Sequence, residues 1–386
     1  MDMRSTRIFA ILAATILWTA GEFAVLQGRL GMRDFRVNWT AGDRLLHGET
    51  PYRASDEHYQ FKYSPFSAAL YAPLALLPES AAKTVWFGLI FVAMAFLVGA
   101  SARLAGRPGP WPRGTGIVPA LILAKYLFRE LELGQINALV AALFLSAAAF
   151  LVPAESSLRA GRQAAAGCLG GLAAAMKPYG LIILPYWILK KRWTALGASL
   201  AVLAASYFIP AAYFGFPGNA AVHREWIAGL SRSTPPLLTS QDNISLLGFF
   251  SKWLGPTGGA LIAFGVLLVV LGSGTLVFIA KGAGQKESAV AEFGLLLLLI
   301  PLISPLGWDY TFLSSLPAVA LIIAHWRIFP RAARIVLAAD FIVISLSLYD
   351  ILGRRLYASF MSWSILTVCF LGLVPALGYL RWKKRI

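Results

Sequence analysis

Residues 256–280 read PTGGALIAFGVLLVVLGSGTLVFIA, a run without a single charged side chain. A helix needs about 20 apolar residues to cross a bilayer, and other long apolar runs lie at Ile8–Leu26 and Phe360–Tyr379. Hydrophobic residues make up 58% of the 386 residues and charged residues only 13%, which is about half the usual charged share. The composition excludes an ordinary soluble globule. Because membrane barrels alternate apolar and polar residues, continuous runs predict an all-α, polytopic integral membrane protein.

The basic residues are distributed unevenly along the chain. Lys and Arg total 34 against 18 Asp and Glu, a net charge of +16. With the amino terminus inside, 19 basic and 3 acidic residues fall in the cytoplasmic segments, so that side carries the whole net charge. We therefore interpret the excess as the positive-inside signal rather than as a nucleic-acid surface. It predicts an inner-membrane protein with both termini in the cytoplasm.

One transmembrane domain is predicted over residues 1–386, with about twelve spans and a range of 11–13. Arg4 and Arg7 precede the first span without a clear cleavage site, so we expect that span to be retained. Residues 64–78 are too short and rich in proline for a full span and are predicted to be re-entrant or a short broken helix. The predicted spans are Ile8–Leu26, Thr84–Leu104, Ile117–Phe128, Ile136–Val152, Ala164–Met176, Tyr179–Leu189, Thr194–Tyr213, Thr257–Ala280, Ala289–Ile303, Thr311–Ala324, Ile335–Tyr349 and Phe360–Leu380.

Two polar segments, residues 27–64 and 214–243, are predicted to be structured on the outer side. The first alternates aromatic, charged and amide side chains, among them Asp34, Asn38, Asp43 and Tyr52. Such a loop suits a sugar-sized cleft, because rings stack on sugars and carboxylates bind hydroxyl groups. The composition alone favours the plainer interpretation, in which Asp34 and Asp43 are solvated or capping residues.

Several short motifs together resemble a known family. In order they are an acidic residue followed by an aromatic at Asp34, Gly48–Tyr52, Tyr63–Pro65, Pro73–Pro78, Gly134–Asn137, Lys177-Pro178 and Ser304–Trp308. The set resembles family 87 of the C-type glycosyltransferases, which are polyprenyl-phosphate-sugar-dependent and mostly mannosyl transferases. The resemblance extends from about Asp34 to Tyr310. Where the family often has histidines after Ser-Pro-x-x-Trp, this chain has Asp309-Tyr310.

The resemblance implies a C-type architecture with a structured first outer loop and an acidic general base on that loop. It also implies a groove for a lipid phosphate donor and no nucleotide-sugar site. Asp34 occupies the position of the base. The outer segments 27–64 and 214–243 are then expected to contribute to the active site.

The chemistry of the reaction gives a separate reason for these residue types. Transfer from a polyprenyl phosphate needs a base for the acceptor hydroxyl and cations for the departing phosphate. Asp34 is the preferred base and Asp43 the second choice. Lys177 is the preferred cation because it interrupts an apolar run, although a lysine that snorkels to the interface has the same sequence signature. Weaker candidates for phosphate binding are Arg129, His223 and Arg224.

Four further residues at predicted outer turns are candidate sugar contacts. Gln135 and Asn137 carry amides that suit sugar hydroxyl groups, and a helix start with interhelical hydrogen bonds explains them as well. Trp308 and Asp309 form another outer turn, where an interfacial tryptophan is the common alternative. Asn38 and Tyr52 complete the predicted substrate-binding set.

No cofactor is predicted. The four histidines show no ligand spacing, Cys168 and Cys369 lie in predicted spans, and there is no Asp-x-Asp pair, Walker loop or dinucleotide fingerprint. The favoured hypothesis is a hexosyltransferase, with mannose the expected sugar, that uses a polyprenyl-phosphate donor and an outer-side glycolipid, glycan or protein acceptor. A transporter or lipid flippase is the alternative, but polar candidates at the outer ends and the lack of related halves disfavour it. An enzyme that transfers whole lipid-linked glycans is a third possibility.

Overall fold

The computed structural model describes residues 31–105, 114–152, 160–282, 288–384 and 386. These residues form seventeen α-helices: α1 Arg33–Leu46, α2 Pro65–Ala75, α3 Glu79–Leu104, α4 Gly114–Ile122, α5 Ala124–Leu133, α6 Asn137–Leu151, α7 Ala160–Met176, α8 Ile183–Leu189, α9 Trp193–Phe208, α10 Ala211–Ser233, α11 Leu246–Leu254, α12 Gly258–Lys281, α13 Ser288–Ile303, α14 Leu316–Ala324, α15 Arg331–Leu346, α16 Tyr349–Ser362 and α17 Ile365–Trp382. Short 3-10 helices lie at Ala54–Tyr59, Pro178–Ile182, Pro235–Leu237, Asp309–Ser315 and Trp326–Ile328. The predicted first helix, Ile8–Leu26, lies outside the described residues.

The central helix of the bundle is α13. Nearly all of its side chains are buried, as expected for a helix that is apolar on every side. It packs against α6, α14 and α17, and α6 in turn packs against α3 and α7. By contrast, α12 exposes large apolar side chains such as Ile262, Val266 and Val269. Such a surface is stable in hydrocarbon and not in water.

The outer segment begins with an amphipathic helix, α1. Its buried residues recur every three or four positions and include Phe35, Asn38 and Leu45. It packs closely on α2, because a Cβ atom at Gly42 would lie 2.7 Å from the carbonyl carbon of Tyr71. The start of α2 is capped by Ser64, whose hydroxyl accepts a hydrogen bond from the Ser67 amide. The predicted short helix in residues 64–78 is therefore present.

Three helices, α3, α12 and α17, are individually long and apolar enough to cross a membrane. Three bent pairs also qualify if each pair is one span, which gives up to six among the described residues. The predicted spans Ala289–Ile303 and Thr311–Ala324 correspond to shorter helices that their neighbours bury. A short helix is tolerated at membrane depth when other protein segments surround it.

Several predicted spans are interrupted. Thr194–Tyr213 was expected to be continuous, but α9 ends at Phe208 and the following helix turns by 92° near Pro210. Ile117–Phe128 divides between α4 and α5, and α5 lies at 120° to α6. Proline and glycine cause such breaks because proline lacks an amide donor and glycine permits left-handed conformations.

Candidate active site

Asp34 lies at the start of α1 and joins a hydrogen-bonded cluster. The side-chain amide of Gln135 donates to the Oδ2 atom of Asp34 and also, over 3.2 Å, to the hydroxyl group of Tyr310. The Tyr63 hydroxyl donates to the Oε1 atom of Gln135 over 3.1 Å. One buried amide thus connects four separate segments of the chain, and it fixes the orientation of the Asp34 carboxylate.

A tight turn between α5 and α6 places Gln135 in this position. Gly134 has a φ angle of +69°, which glycine adopts without strain. The backbone amide of Gln135 donates to the backbone carbonyl of Glu130 over 3.0 Å. The Trp86 indole donates to the backbone carbonyl of Gly134 over 2.8 Å. The turn is therefore held by its own helix and by α3.

Lys177 and Asn137 form the second half of the cluster. The ammonium group of Lys177 donates to the Oδ1 atom of Asn137 over 2.6 Å, and the Tyr179 hydroxyl donates to the same oxygen over 3.0 Å. Asn137 donates through Nδ2 to Oε2 of Glu130 over 2.8 Å. The amide of Ala138 donates to the other Glu130 oxygen over 2.8 Å. Lys177, with 4% of its surface exposed, is thus part of a buried polar network.

Tyr63 connects the two halves. Its ring centroid lies 4.9 Å from the Lys177 nitrogen, while its hydroxyl group reaches Gln135. Burial lowers the pKa of Lys177, and the negative charges of Glu130 and Asp34 oppose this effect. An intramembrane lysine is costly unless it has such partners. The predicted residues Asp34, Gln135, Asn137 and Lys177 therefore meet in one site.

Arg129 and Asp309 lie on the other side of Tyr310. The Nε atom of Arg129 is 3.6 Å from the Oδ1 atom of Asp309, and 47% of the Arg129 side chain is exposed. Lys125, one turn earlier on α5, donates to the Ser347 carbonyl over 3.1 Å. Burial raises the pKa of Asp309, although Arg129 and Lys125 oppose the shift. Two cations, Arg129 and Lys125, thus lie near Asp309 at the edge of the cluster.

Asn38 and Tyr52 form hydrogen bonds with segments that carry residues of the cluster. Asn38 donates to the Tyr71 hydroxyl over 3.2 Å, and the Tyr52 hydroxyl donates to the Tyr63 carbonyl over 2.7 Å. Both side chains fix segments that carry cluster residues. Trp308 pairs through its backbone with Asn243 and so fixes the start of the segment that carries Tyr310.

Three other predicted residues have their contacts outside the cluster; the ring of His223, for example, lies 4.3 Å from the ring of Tyr207 on α9. The Oδ1 atom of Asp43 lies 3.7 Å from the Nδ1 atom of His47, the first residue after α1. His223 contacts the Asn219 carbonyl over 2.9 Å, and Arg224 donates to the Ala220 carbonyl over 3.3 Å. These contacts do not join the three residues to the Asp34 cluster.

Sequence reasoning missed five residues of the cluster and its edge: Tyr63, Lys125, Glu130, Tyr179 and Tyr310. Tyr63 opens the identified motif Tyr63–Pro65 but was not assigned a role, Tyr179 follows Lys177-Pro178, and Tyr310 follows the predicted Asp309. A buried Glu130 has no distinctive signature in a segment that also carries Glu132. Among the described residues, no group of three His, Cys, Asp or Glu side chains is arranged to hold a metal ion.

Comparison with known proteins identifies the family. The sequence model of glycosyltransferase family 87 matches residues 61–305, more than half of the chain. The protein therefore belongs to glycosyltransferase family 87, as its motifs predicted, and it is a multi-pass membrane protein. Asp34 precedes the matched region.

One curated protein and two solved structures of ArnT are similar to this chain. A polyprenol-phosphate-mannose-dependent α-(1-2)-phosphatidylinositol pentamannoside mannosyltransferase from Mycolicibacterium smegmatis is 28% identical over 284 residues, which cover 71% of this chain and 63% of that protein. The chain thus spans less than two thirds of this relative. ArnT from Cupriavidus metallidurans bound to undecaprenyl phosphate aligns with a TM-score of 0.46 and 13% identity, covering 97% of this chain and 78% of ArnT. The apo state of ArnT aligns with a TM-score of 0.40 and 13% identity, covering 97% and 76%.

Proposed function

We propose that this protein transfers a hexose, mannose in the favoured case, from a polyprenyl phosphate to a glycolipid, glycan or protein acceptor on the extracytoplasmic side of the inner membrane. The observation that carries the proposal is the position of Asp34, held by Gln135 beside Tyr63 and Tyr310. Membership of family 87 supports the reaction class. The name of the Mycolicibacterium relative supports mannose and a lipid-linked acceptor.

The proposed reaction is a single displacement with inversion. The acceptor oxygen attacks the anomeric carbon of the donor sugar, and its proton passes to the Asp34 carboxylate. The bond between the anomeric carbon and the phosphate oxygen breaks, and polyprenyl phosphate leaves with the electron pair. A positioned base contributes about 10²–10⁴-fold to such a step.

The leaving phosphate needs a cation that the donor is able to reach. Arg129 is the stronger candidate for direct contact, because nearly half of its side chain is exposed and a guanidinium group binds two phosphate oxygens at once. Lys177 is buried and already donates to Asn137. We infer that Lys177 acts through its positive charge and by positioning Asn137 for the sugar.

Replacement of the base tests the proposal. Asp34→Asn preserves the shape of the side chain and an oxygen that accepts from Gln135, so we expect donor binding to be retained while transfer falls by about 10²–10⁴-fold. The assay uses purified protein, radiolabelled polyprenyl-phosphate-mannose and a membrane lipid extract. Asp43→Asn is the matched control, since Asp43 lies on the same helix and contacts His47. Normal turnover in Asp34→Asn shows that Asp34 is not the base.

A further inference from the structure

A cavity lies against the α1 residues Arg33, Arg36 and Arg44. Its volume is about 540 Å³, and its lining includes Arg33, Arg36 and Arg44 from α1 together with Asp56, Tyr59 and Phe61 from the following segment. The three arginines recur at intervals of three and eight residues, which places them along one side of the helix. None of the residues proposed above for the reaction lines this cavity.

The charges in the cavity do not balance. Arg44 binds Asp56 through two parallel hydrogen bonds, one of them 2.8 Å long, and both side chains are largely buried. This pair anchors the 3-10 helix at Ala54–Tyr59 to α1 and adds no net charge. Arg33 and Arg36 remain, and both are exposed.

The contact of Arg36 with an acidic residue is weak. Its Nε atom lies 3.6 Å from Glu79, with 69% of the arginine side chain exposed. Exposed pairs of this kind contribute little and exchange readily with other ligands. Arg33 and Arg36, one helical turn apart, therefore line a cavity that the half-exposed Tyr59 also lines. Paired arginines bind phosphate oxygens, and an aromatic ring stacks on a sugar face.

The cavity and the proposed base share one helix. Arg33 precedes Asp34 directly and Arg36 follows it by two residues, so both cavity arginines lie within one helical turn of Asp34, which does not itself line the cavity. A molecule held by these arginines has to extend around the first turn of α1 to present a hydroxyl group to Asp34. The donor phosphate is assigned above to the Arg129 edge, beyond Tyr310.

We propose that this cavity binds the acceptor, and that the acceptor carries a phosphate group held by Arg33 and Arg36. The substrate class is a phosphorylated sugar or the sugar headgroup of a phospholipid. The proposal rests on the transferase function proposed above, and it adds a selectivity for anionic over neutral acceptors.

Binding of a small probe tests the cavity without any turnover. Mannose 6-phosphate and methyl mannoside are titrated into the purified full-length protein by calorimetry. We expect mannose 6-phosphate to bind, methyl mannoside to bind at least about tenfold more weakly, and the preference to shrink as salt is raised. Arg33→Gln and Arg36→Gln should each lower the affinity for mannose 6-phosphate by about tenfold. Arg53→Gln is the matched control, because Arg53 belongs to the same outer segment and pairs with Glu49.

The same titrations separate the acceptor from the donor. Asp34→Asn should bind mannose 6-phosphate normally, and this holds whether or not Asp34 is the base. The double variant Arg33→Gln/Arg36→Gln should still bind polyprenyl phosphate. Loss of polyprenyl phosphate binding in that variant overturns the acceptor assignment, because the cavity then serves the donor. Equal affinities for mannose 6-phosphate and methyl mannoside overturn the proposal altogether.

Discussion

Gln135 orients the proposed base, because its amide group donates to Asp34 and Tyr310 and accepts from Tyr63. Gln135→Glu preserves its size but replaces the donor with a second carboxyl group beside Asp34. Two carboxylates at hydrogen-bond distance raise the pKa of one of them. We therefore expect the acidic limb of the rate profile to move to higher pH and the rate at neutral pH to fall by about tenfold or more.

The measurement for Gln135 is the pH dependence of kcat/KM for wild type and variant. Gln60→Glu is the control, because Gln60 is a glutamine of the same outer segment that donates to the Ala54 carbonyl. A uniform loss of rate with an unchanged profile in Gln135→Glu indicates a purely structural role for Gln135.

Lys177 should set the alkaline limit of the reaction. Burial lowers its pKa below the ordinary value of 10.5, so its positive charge is lost at a lower pH than that of a surface lysine. We expect kcat/KM to fall as pH rises through this lowered pKa. Lys177→Met, which has similar volume and no charge, should be slow at every pH and lack this limb.

The titration of Lys177 should change the stability of the fold in the opposite direction to the rate as pH rises. Between the lowered pKa and 10.5 the unfolded chain binds more protons than the folded protein, and stability then rises with pH. As pH rises through that range, Lys177 should therefore raise the melting temperature while the transfer rate falls. Comparison of wild type with Lys177→Met isolates this contribution. If the melting temperature falls in parallel with the rate, denaturation explains the alkaline limb.

The sequence predicted the polar residues of the site better than its aromatic residues. Lys177 interrupts an apolar run, where a charged group requires a specific reason, and Asp34, Gln135 and Asn137 belong to the motifs that resemble the family. Tyr63, Tyr179 and Tyr310 do not stand out, since the chain has 13 tyrosines. His223, Arg224 and Asp43 lie in polar segments, where only the three-dimensional packing separates them from the cluster.

At the scale of elements, the turn between α5 and α6 determines where Gln135 lies. A Cβ atom at Gly134 would lie 2.6 Å from the Cβ atom of Phe35, and the φ angle of +69° disfavours any other residue. Gly134→Ala should therefore destabilise the protein by about 2–4 kcal/mol from backbone strain and overpacking. Gly88→Ala is the control, because a Cβ atom there meets no neighbour within 4 Å.

Thermal unfolding in detergent and transfer assays measure the Gly134 effect. We expect Gly134→Ala to lose both stability and transfer, while Gly88→Ala remains within about 1 kcal/mol of wild type. A Gly134→Ala protein with normal activity contradicts the view that this turn holds the active amide in place.

The apolar runs predicted where helices occur, whereas the breaks depended on contacts between helices. Predicted spans such as Ala289–Ile303 correspond closely to helices of the structure, because a continuous apolar run leaves helix as the stable form in a membrane. The 120° bend between α5 and α6 depends on Trp86 and Phe35 from other segments. Gly134 marks the end of α5 in the sequence, but the distant contacts from Trp86 and Phe35 have no local signal.

At the scale of the whole molecule, charge and chemistry agree on one arrangement. The cytoplasmic segments proposed from the sequence carry the entire net charge of +16, while Asp34 and the arginine-lined cavity belong to the segment proposed to lie outside. In the proposed reaction, a polyprenyl-phosphate donor and its acceptor meet the protein on one side of the membrane. The orientation of the chain therefore decides in which compartment transfer takes place.

Single-cysteine labelling tests this orientation. In a background with Cys168→Ser and Cys369→Ser, Arg53→Cys places a thiol in the outer segment and Arg331→Cys places one in a predicted cytoplasmic turn; both positions are solvent-accessible. We expect a membrane-impermeant maleimide to label Arg53→Cys in intact spheroplasts and Arg331→Cys only after permeabilisation, because positive segments remain inside. The reverse pattern would place Asp34 in the cytoplasm and refute transfer on the outer side, while leaving the chemistry of the site untouched.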